Sequence, residues 1–188
     1  MSAKLFALID TATMEKKNQT LLWVIERVCT LGAVMIEYRN KTGSFEEKRD
    51  DILTIKEHLD TPVIVNDDIS LVPFCDGLHL GQEDILKYGA DVKSAIVHVR
   101  EIIGSKILGI STHNEKEILE ANETSIDYIG LGAYKKTDTK ETDNILGDKL
   151  SSLALLSKKP VAAIGGVKLN DDILNAAYIV VGSGLYED

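Results

Sequence analysis

Positive charge is what this chain is short of. It has 21 lysines and arginines against 30 aspartates and glutamates, a formal net charge of -9. Nucleic-acid and membrane surfaces need clustered cations, so neither is expected as a partner. Any anionic ligand must be held by local positive groups or by a metal. Cysteine is also scarce. Cys29 and Cys75 both lie in apolar surroundings with no C-x-x-C spacing. Their expected state is two buried free thiols in a reducing compartment, which points to the cytoplasm. No segment approaches the roughly 18 apolar residues of a membrane span, and "KLFALI" near the start is too short for a signal-peptide core. Histidine and cysteine show no zinc-ligand spacing, and there is no G-x-S-x-G nucleophile elbow.

What is present is a sequence of 188 residues that is 44% apolar. That is enough for one good core, so one domain over 1–188 is expected and disorder is not. Short apolar runs recur: "LFALI" (5–9), "AVMIEY" (33–38), "PVIV" (62–65), "GLHL" (77–80), "KILGI" (106–110), "DYIGLG" (127–132), "VAAIGG" (161–166) and "YIVVG" (178–182). They are continuous rather than alternating, as in parallel strands covered on both faces. Helical spacing lies between several of them, over 18–31, 45–58, 114–123 and 144–157, with Asn114 placed as an N-cap. Between the third and fourth runs there is room only for about one turn around Leu71.

Eight such strands predict a compact α/β fold, a (β/α)8 TIM barrel. An open doubly wound sheet is the alternative, but no G-x-G-x-x-G follows the first strand, where "LIDTATME" stands. Too few residues follow "YIVVG" for a regular eighth helix, so the C-terminal end is shortened. The barrel floor between first and last strands must then be covered by a partner subunit or by the N-terminal helix. Tyr88, Ile96, Val97 and Val99 lie in the long segment 85–106 and could serve a homodimer.

In a barrel the site forms at the C-terminal strand ends. Those ends carry Asp10, then Glu37, Arg39 and Lys41, then Asn66 and Asp67, then Gln82 and Asp84. Ser111 and His113 follow the fifth strand, Thr137, Thr139 and Lys140 the sixth, Gly165 and Gly166 the seventh, and Gly182, Ser183 and Gly184 the eighth. Glycines let backbone N–H groups approach a phosphate. Asp67 and Asp84 end adjacent strands, and two hard oxygen ligands suit Mg2+, which keeps waters and shares substrate phosphates. Arg39, Lys41 and Lys140 add cations. A metal, these cations and a separate glycine cradle imply two phosphorylated groups, a pyrophosphate and a monophosphate. His79 is expected to point into the barrel, and His113 to cap or brace a loop.

These motifs resemble the thiamine-phosphate synthase and thiazole tautomerase family over nearly the whole chain. Glu37 to Lys41 stands at the family's Q-x-R-x-K, Asn66-Asp67 at its "ND", and Gly77 to Asp84 at G-x-H-x-G-Q-E-D. Gly109 to His113 matches G-x-S-x-H, Thr137 to Lys140 matches T-x-T-K, Ile164 to Gly166 matches I-G-G, and Ser183-Gly184 the closing "S-G". The resemblance is closer to the synthase. It implies a transferase that joins hydroxymethyl-pyrimidine pyrophosphate to thiazole phosphate by dissociative substitution, releasing pyrophosphate. Asp67 and Asp84 would hold Mg2+, and Glu37 would lie beside the pyrimidine. Arg39, Lys41, Asn66 and Lys140 would hold the pyrophosphate, with Ser111 and Thr139 nearby. Gly165, Gly166, Ser183 and Thr137 would bind the thiazole phosphate. Lys140, Ser111, Arg39 and Lys41 are the candidate catalytic groups.

The departures are Glu37 for the family glutamine, which puts a charge near the ring, and Gly132-Ala133-Tyr134-Lys135-Lys136-Thr137 for G-P-x-F-x-T. A tautomerase would need the barrel and the phosphate cradle, with His113 moving the proton, but not the acidic pair. A phosphate-binding paralogue without turnover is the third reading.

Overall fold

The computed structural model describes residues 2–136 and 144–187. Eight parallel strands close into a barrel in sequence order. They are β1 (Lys4–Asp10), β2 (Met35–Arg39), β3 (Val63–Asn66), β4 (Gly77–Leu80), β5 (Ile107–Thr112), β6 (Tyr128–Leu131), β7 (Val161–Ala163) and β8 (Tyr178–Val181). The helices are α1 (Thr11–Lys16), α2 (Leu21–Thr30), α3 (Phe45–His58), α4 (Gln82–Ile85), α5 (Val92–Ile103), α6 (Glu115–Asn122) and α7 (Lys149–Ala154). A 3-10 segment, Ile69–Phe74, joins β3 to β4 where one turn was expected. Among the described residues no helix is long and apolar enough to cross a membrane.

The helix starts follow from local chemistry. Ser44 opens α3 with a capping box: its hydroxyl accepts from Glu47 N–H, and the Glu47 carboxylate accepts from Ser44 N–H. Asn114 caps α6 through Glu117 N–H, as its position predicts. Each strand divides its residues by parity. Ile9, Ile36, Val65, Leu78, Ile110 and Ile129 pack outward, in the cluster shared with buried helix residues such as Val24, Ile52 and Val99. Phe6, Leu8, Met35, Ile64, Tyr128, Ala162 and Val180 point inward and plug the barrel. Burial on both faces is why these strands read as unbroken apolar runs.

Two expectations need correction. Cys29 is exposed, because it lies on the outer side of α2; Cys75 is buried as predicted, and both are free. Ile96 and Val99 are buried within the chain's own core, since α5 turns that face toward the barrel. Only Val97, 55% exposed, remains on the outside of the trio. Beyond β8 the described residues form a short turn that packs on α2, the first long helix. A 3-10 turn, Ser183–Tyr186, folds back on α2, where Tyr186 stacks on Trp23 at 5.7 Å and Arg27 donates to the carbonyls of Leu185 and Glu187.

Candidate active site

Inward parity carries on past the apolar plug and changes chemistry near the top of the barrel. Glu37 follows Met35, Asn66 follows Ile64, and Ser111 follows Ile107 and Gly109 at every second position. Register then sets neighbours: Glu37 lies beside Leu8 and Ile64, Asn66 beside His79, and Ser111 beside Gly130. These side chains floor a cavity of about 400 Å3. Its lining includes Glu37, Arg39, Lys41, Asn66, Asp67 and Asp84 on one side. It includes Ser111, Gly165, Gly166 and Ser183 on the other. All expected site residues within the described range therefore meet in one place. Thr137, Thr139 and Lys140 lie outside the described residues.

On the β2–β4 side the charges are paired. Lys41 Nζ donates to Asp67 Oδ2 at 2.5 Å, and Lys87 Nζ donates to Asp84 Oδ1 at 2.5 Å. Arg39 Nη1 donates to Asp10 Oδ2, while Asp10 Oδ1 accepts from the N–H and hydroxyl of Thr13. Asp10 thus both caps α1 and holds the guanidinium at the rim. Asp67 has φ of +60°, a left-handed conformation rare outside glycine and asparagine. Two hydrogen bonds fix it there, from Asp67 N–H to His79 O at 2.8 Å and from Gly81 N–H to Asp67 Oδ1 at 3.0 Å. Burial alone would raise the Asp67 carboxyl. The Lys41 bond, the Gly81 N–H and the charge of Lys41 outweigh it and hold the group below its ordinary value.

The acidic pair can be tested for a divalent ion. A Cβ built on Gly81 would lie 3.3 Å from Asp84 Oδ2 and 3.7 Å from Asp67 Oδ1, so both carboxylates flank one glycine. Each already attracts an ammonium. Among the described residues no group of three or more Asp, Glu, His or Cys forms a closed metal cage. Two carboxylate donors with open positions fit Mg2+, which keeps waters and binds substrate phosphates.

Across the barrel, the β7 and β8 ends supply backbone. Gly165 and Gly166 have φ of +88° and +66°. A Cβ on Gly165 would meet Ala133 Cβ at 2.5 Å, and one on Gly166 would meet Lys136 O at 2.7 Å, so both positions require glycine. Lys135 does not add a cation here, because its ammonium pairs with Asp171 at 2.7 Å.

Between these walls Glu37 is 3% exposed and accepts from Asn66 Nδ2 at 3.0 Å. Asn66 Oδ1 is buried with no partner among the described residues. Burial raises the Glu37 carboxyl above its ordinary value; the Asp67 charge reinforces this and the Asn66 hydrogen bond opposes it. His79 points into the barrel as expected, bonded to Tyr128 and Ser111. His113 is braced by Glu117 Oε2, at 2.9 Å to its Nδ1. Sequence reasoning missed Tyr128, Lys87, Glu83 and the apolar liners Leu8 and Val180. Inward parity would have found Leu8, Tyr128 and Val180; nothing local marks Lys87.

The family described as thiamine monophosphate synthase (TMP-TENI) matches residues 6–178. The chain belongs to this family. A thiamine-phosphate synthase of Persephonella marina is 34% identical, over 100% of this chain and 90% of the relative. One from Lawsonia intracellularis is also 34% identical, over 89% of this chain and 76% of that one. Among solved structures, the thiamine phosphate pyrophosphorylase of Pyrococcus furiosus superimposes with a TM-score of 0.78 at 26% identity. It covers 98% of this chain and 88% of that one. Family membership agrees with a cavity that offers an acidic, cation-rich wall and a glycine wall to two different ligands.

Proposed function

We propose that this protein joins hydroxymethyl-pyrimidine diphosphate to thiazole phosphate, forming thiamine phosphate and releasing pyrophosphate. One observation carries the reading: the cation-bearing wall at β2–β4 and the glycine wall at β7–β8 face each other across a single cavity. That spacing suits a diphosphate at one side and a monophosphate at the other, with the reacting carbon and nitrogen between them.

In this reading the carbon–oxygen bond of the pyrimidine methyl group breaks and its electron pair leaves on the diphosphate. The thiazole nitrogen lone pair then forms the new carbon–nitrogen bond. No net proton moves, so no general base is needed. Arg39 and Lys41, with Lys140, stabilise the charge that grows on the departing diphosphate, and Ser111 donates to it. Asn66 orients the same group. Gly165, Gly166 and Ser183, with Thr137, hold the thiazole phosphate through backbone and hydroxyl donors. Asp67 and Asp84 would hold Mg2+, which supplies further charge neutralisation for the leaving group. The apolar liners Leu8, Ile164 and Val180 exclude water from the cationic carbon.

A thiazole tautomerase is the second reading, favoured by His113, whose ring lines the cavity and is oriented by Glu117. The first reading also takes the protein as cytoplasmic, consistent with two free thiols. It includes a homodimer, supported by Leu86 and Val97 exposed on segment 85–106. Light scattering that finds only monomer at micromolar concentration would remove that part.

The test follows thiamine phosphate formation from both substrates with Mg2+, with and without chelator. Chelator-sensitive product is expected. Asp84→Ala should lower turnover by about 100-fold or more while thiazole phosphate still binds. Loss of both together would assign Asp84 to the fold. No product from folded wild-type protein would favour the tautomerase.

A further inference from the structure

A chain of three side chains, the first two buried, leads from the barrel interior to the cavity, and the proposed reaction does not by itself explain it. Tyr128 Oη lies 2.9 Å from His79 Nδ1, and His79 Nε2 lies 3.0 Å from Ser111 Oγ. Tyr128 is 3% exposed and His79 is 4% exposed. Neighbouring strands omit side chains to make room for the rings. A Cβ on Gly109 would sit 2.1 Å from Tyr128 Cζ, and one on Gly130 would sit 3.0 Å from His79 Cε1. Gly109 is the register partner of both His79 and Tyr128, and Gly130 that of Ser111. The chain is therefore built into the barrel by four strand positions besides Ser111 itself.

Its direction can be deduced. A neutral imidazole has one donor nitrogen and one acceptor nitrogen. The Tyr128 hydroxyl has no other hydrogen-bond partner among the described residues. A buried hydroxyl that failed to donate would cost about 1–3 kcal/mol. Tyr128 therefore donates to Nδ1, which leaves the imidazole proton on Nε2. Nε2–H donates to Ser111 Oγ. With that lone pair engaged and no other acceptor among the described residues, the Ser111 hydroxyl hydrogen is left for a ligand.

We propose that Tyr128 and His79 are positioning residues that fix the Ser111 hydroxyl as a hydrogen-bond donor into the cavity, aimed at an anionic oxygen of the ligand. The identity of that oxygen, on the departing diphosphate, rests on the proposed function; the wiring does not. The opposite tautomer would turn the Ser111 proton back onto His79 and present lone pairs to an anion.

The first test reads the His79 tautomer in the wild-type, full-length protein by 15N nuclear magnetic resonance. A protonated Nε2 and an unprotonated Nδ1 at neutral pH are expected. Protonation at Nδ1, alone or together with Nε2, overturns the proposal. The second test is a kinetic cycle. Tyr128→Phe should lower kcat by about ten-fold, the effect of about 1.4 kcal/mol, with little change in KM for the pyrimidine substrate. In a Ser111→Ala background the same change should lower kcat by less than about two-fold, because its route of action is gone. Effects that multiply would mean Tyr128 only supports the core. If Tyr128→Phe does not fold, the wild-type tautomer decides. Wild-type protein that makes no thiamine phosphate would remove the proposed function, and the tautomer would still decide the wiring.

Discussion

A carboxyl group on the floor of a barrel must meet a counter-charge or keep its proton, and among the described residues Glu37 is hydrogen-bonded only by the Asn66 amide. Burial therefore dominates and raises it above its ordinary value, with the charge of Asp67 acting in the same direction. The charge that glutamate in place of glutamine leads one to expect near the pyrimidine is thus disfavoured, and in its neutral form the carboxyl can donate and accept much as an amide does. The sign for stability follows. Above about 4.5 the unfolded carboxyl ionises while the folded one keeps its proton. The stability tied to that proton is complete below this pH and is lost as pH rises through the raised folded value. Glu37→Gln keeps the shape and removes the slope. Urea midpoints of variant and wild type should coincide near pH 4 and separate with rising pH. At pH 9 the variant should be the more stable of the two. A variant equal to or weaker than wild type throughout would show a carboxylate that is ionised and compensated.

At the scale of elements, legibility depended on burial. All eight strands were readable as apolar runs because both faces are buried, and α2, α3 and α6 by helical spacing, α6 also by its Asn114 cap. The short helices α1 and α4 were not readable. α1 has only six residues, and its start is set by Asp10, which also answers to Arg39 from another strand. The C-terminal turn was not legible, since the Arg27 side chain that holds it lies 158 and 160 residues away. That docking can be tested at Tyr186. Its ring stacks on Trp23, but its hydroxyl is buried with no partner among the described residues. Removing the whole ring by Tyr186→Ala should cost about 2–3 kcal/mol of unfolding free energy. Tyr186→Phe should be neutral or stabilising by up to about 1 kcal/mol, since it deletes an unsatisfied group and keeps the stack. A Phe variant as weak as the Ala variant would mean that the hydroxyl has a partner in solution.

For the whole molecule, the candidate site is a consequence of closure. Which residues reach the strand ends was legible from the sequence; how they pair was not. Tyr128 and His79 are 49 residues apart and meet only through register across β4, β5 and β6. The same holds for Lys41 and Asp67, 26 residues apart. Because the cavity draws on every strand of the barrel or the loop that follows it, none of it survives in the unfolded chain, and ligand binding is linked to global unfolding. Inorganic pyrophosphate at 100 times its Kd should therefore add about 2.7 kcal/mol. For a chain of this size that corresponds to a rise in Tm of about 5–10 °C. On a protein with net charge -9 the anion must be held locally, so the shift should require Mg2+ and collapse with chelator. Calorimetry with pyrophosphate alone, with Mg2+ alone and with both separates the cases. A full shift without Mg2+ would mean that the lysines and Arg39 bind pyrophosphate by themselves, and that the carboxylates serve only to hold those cations in place.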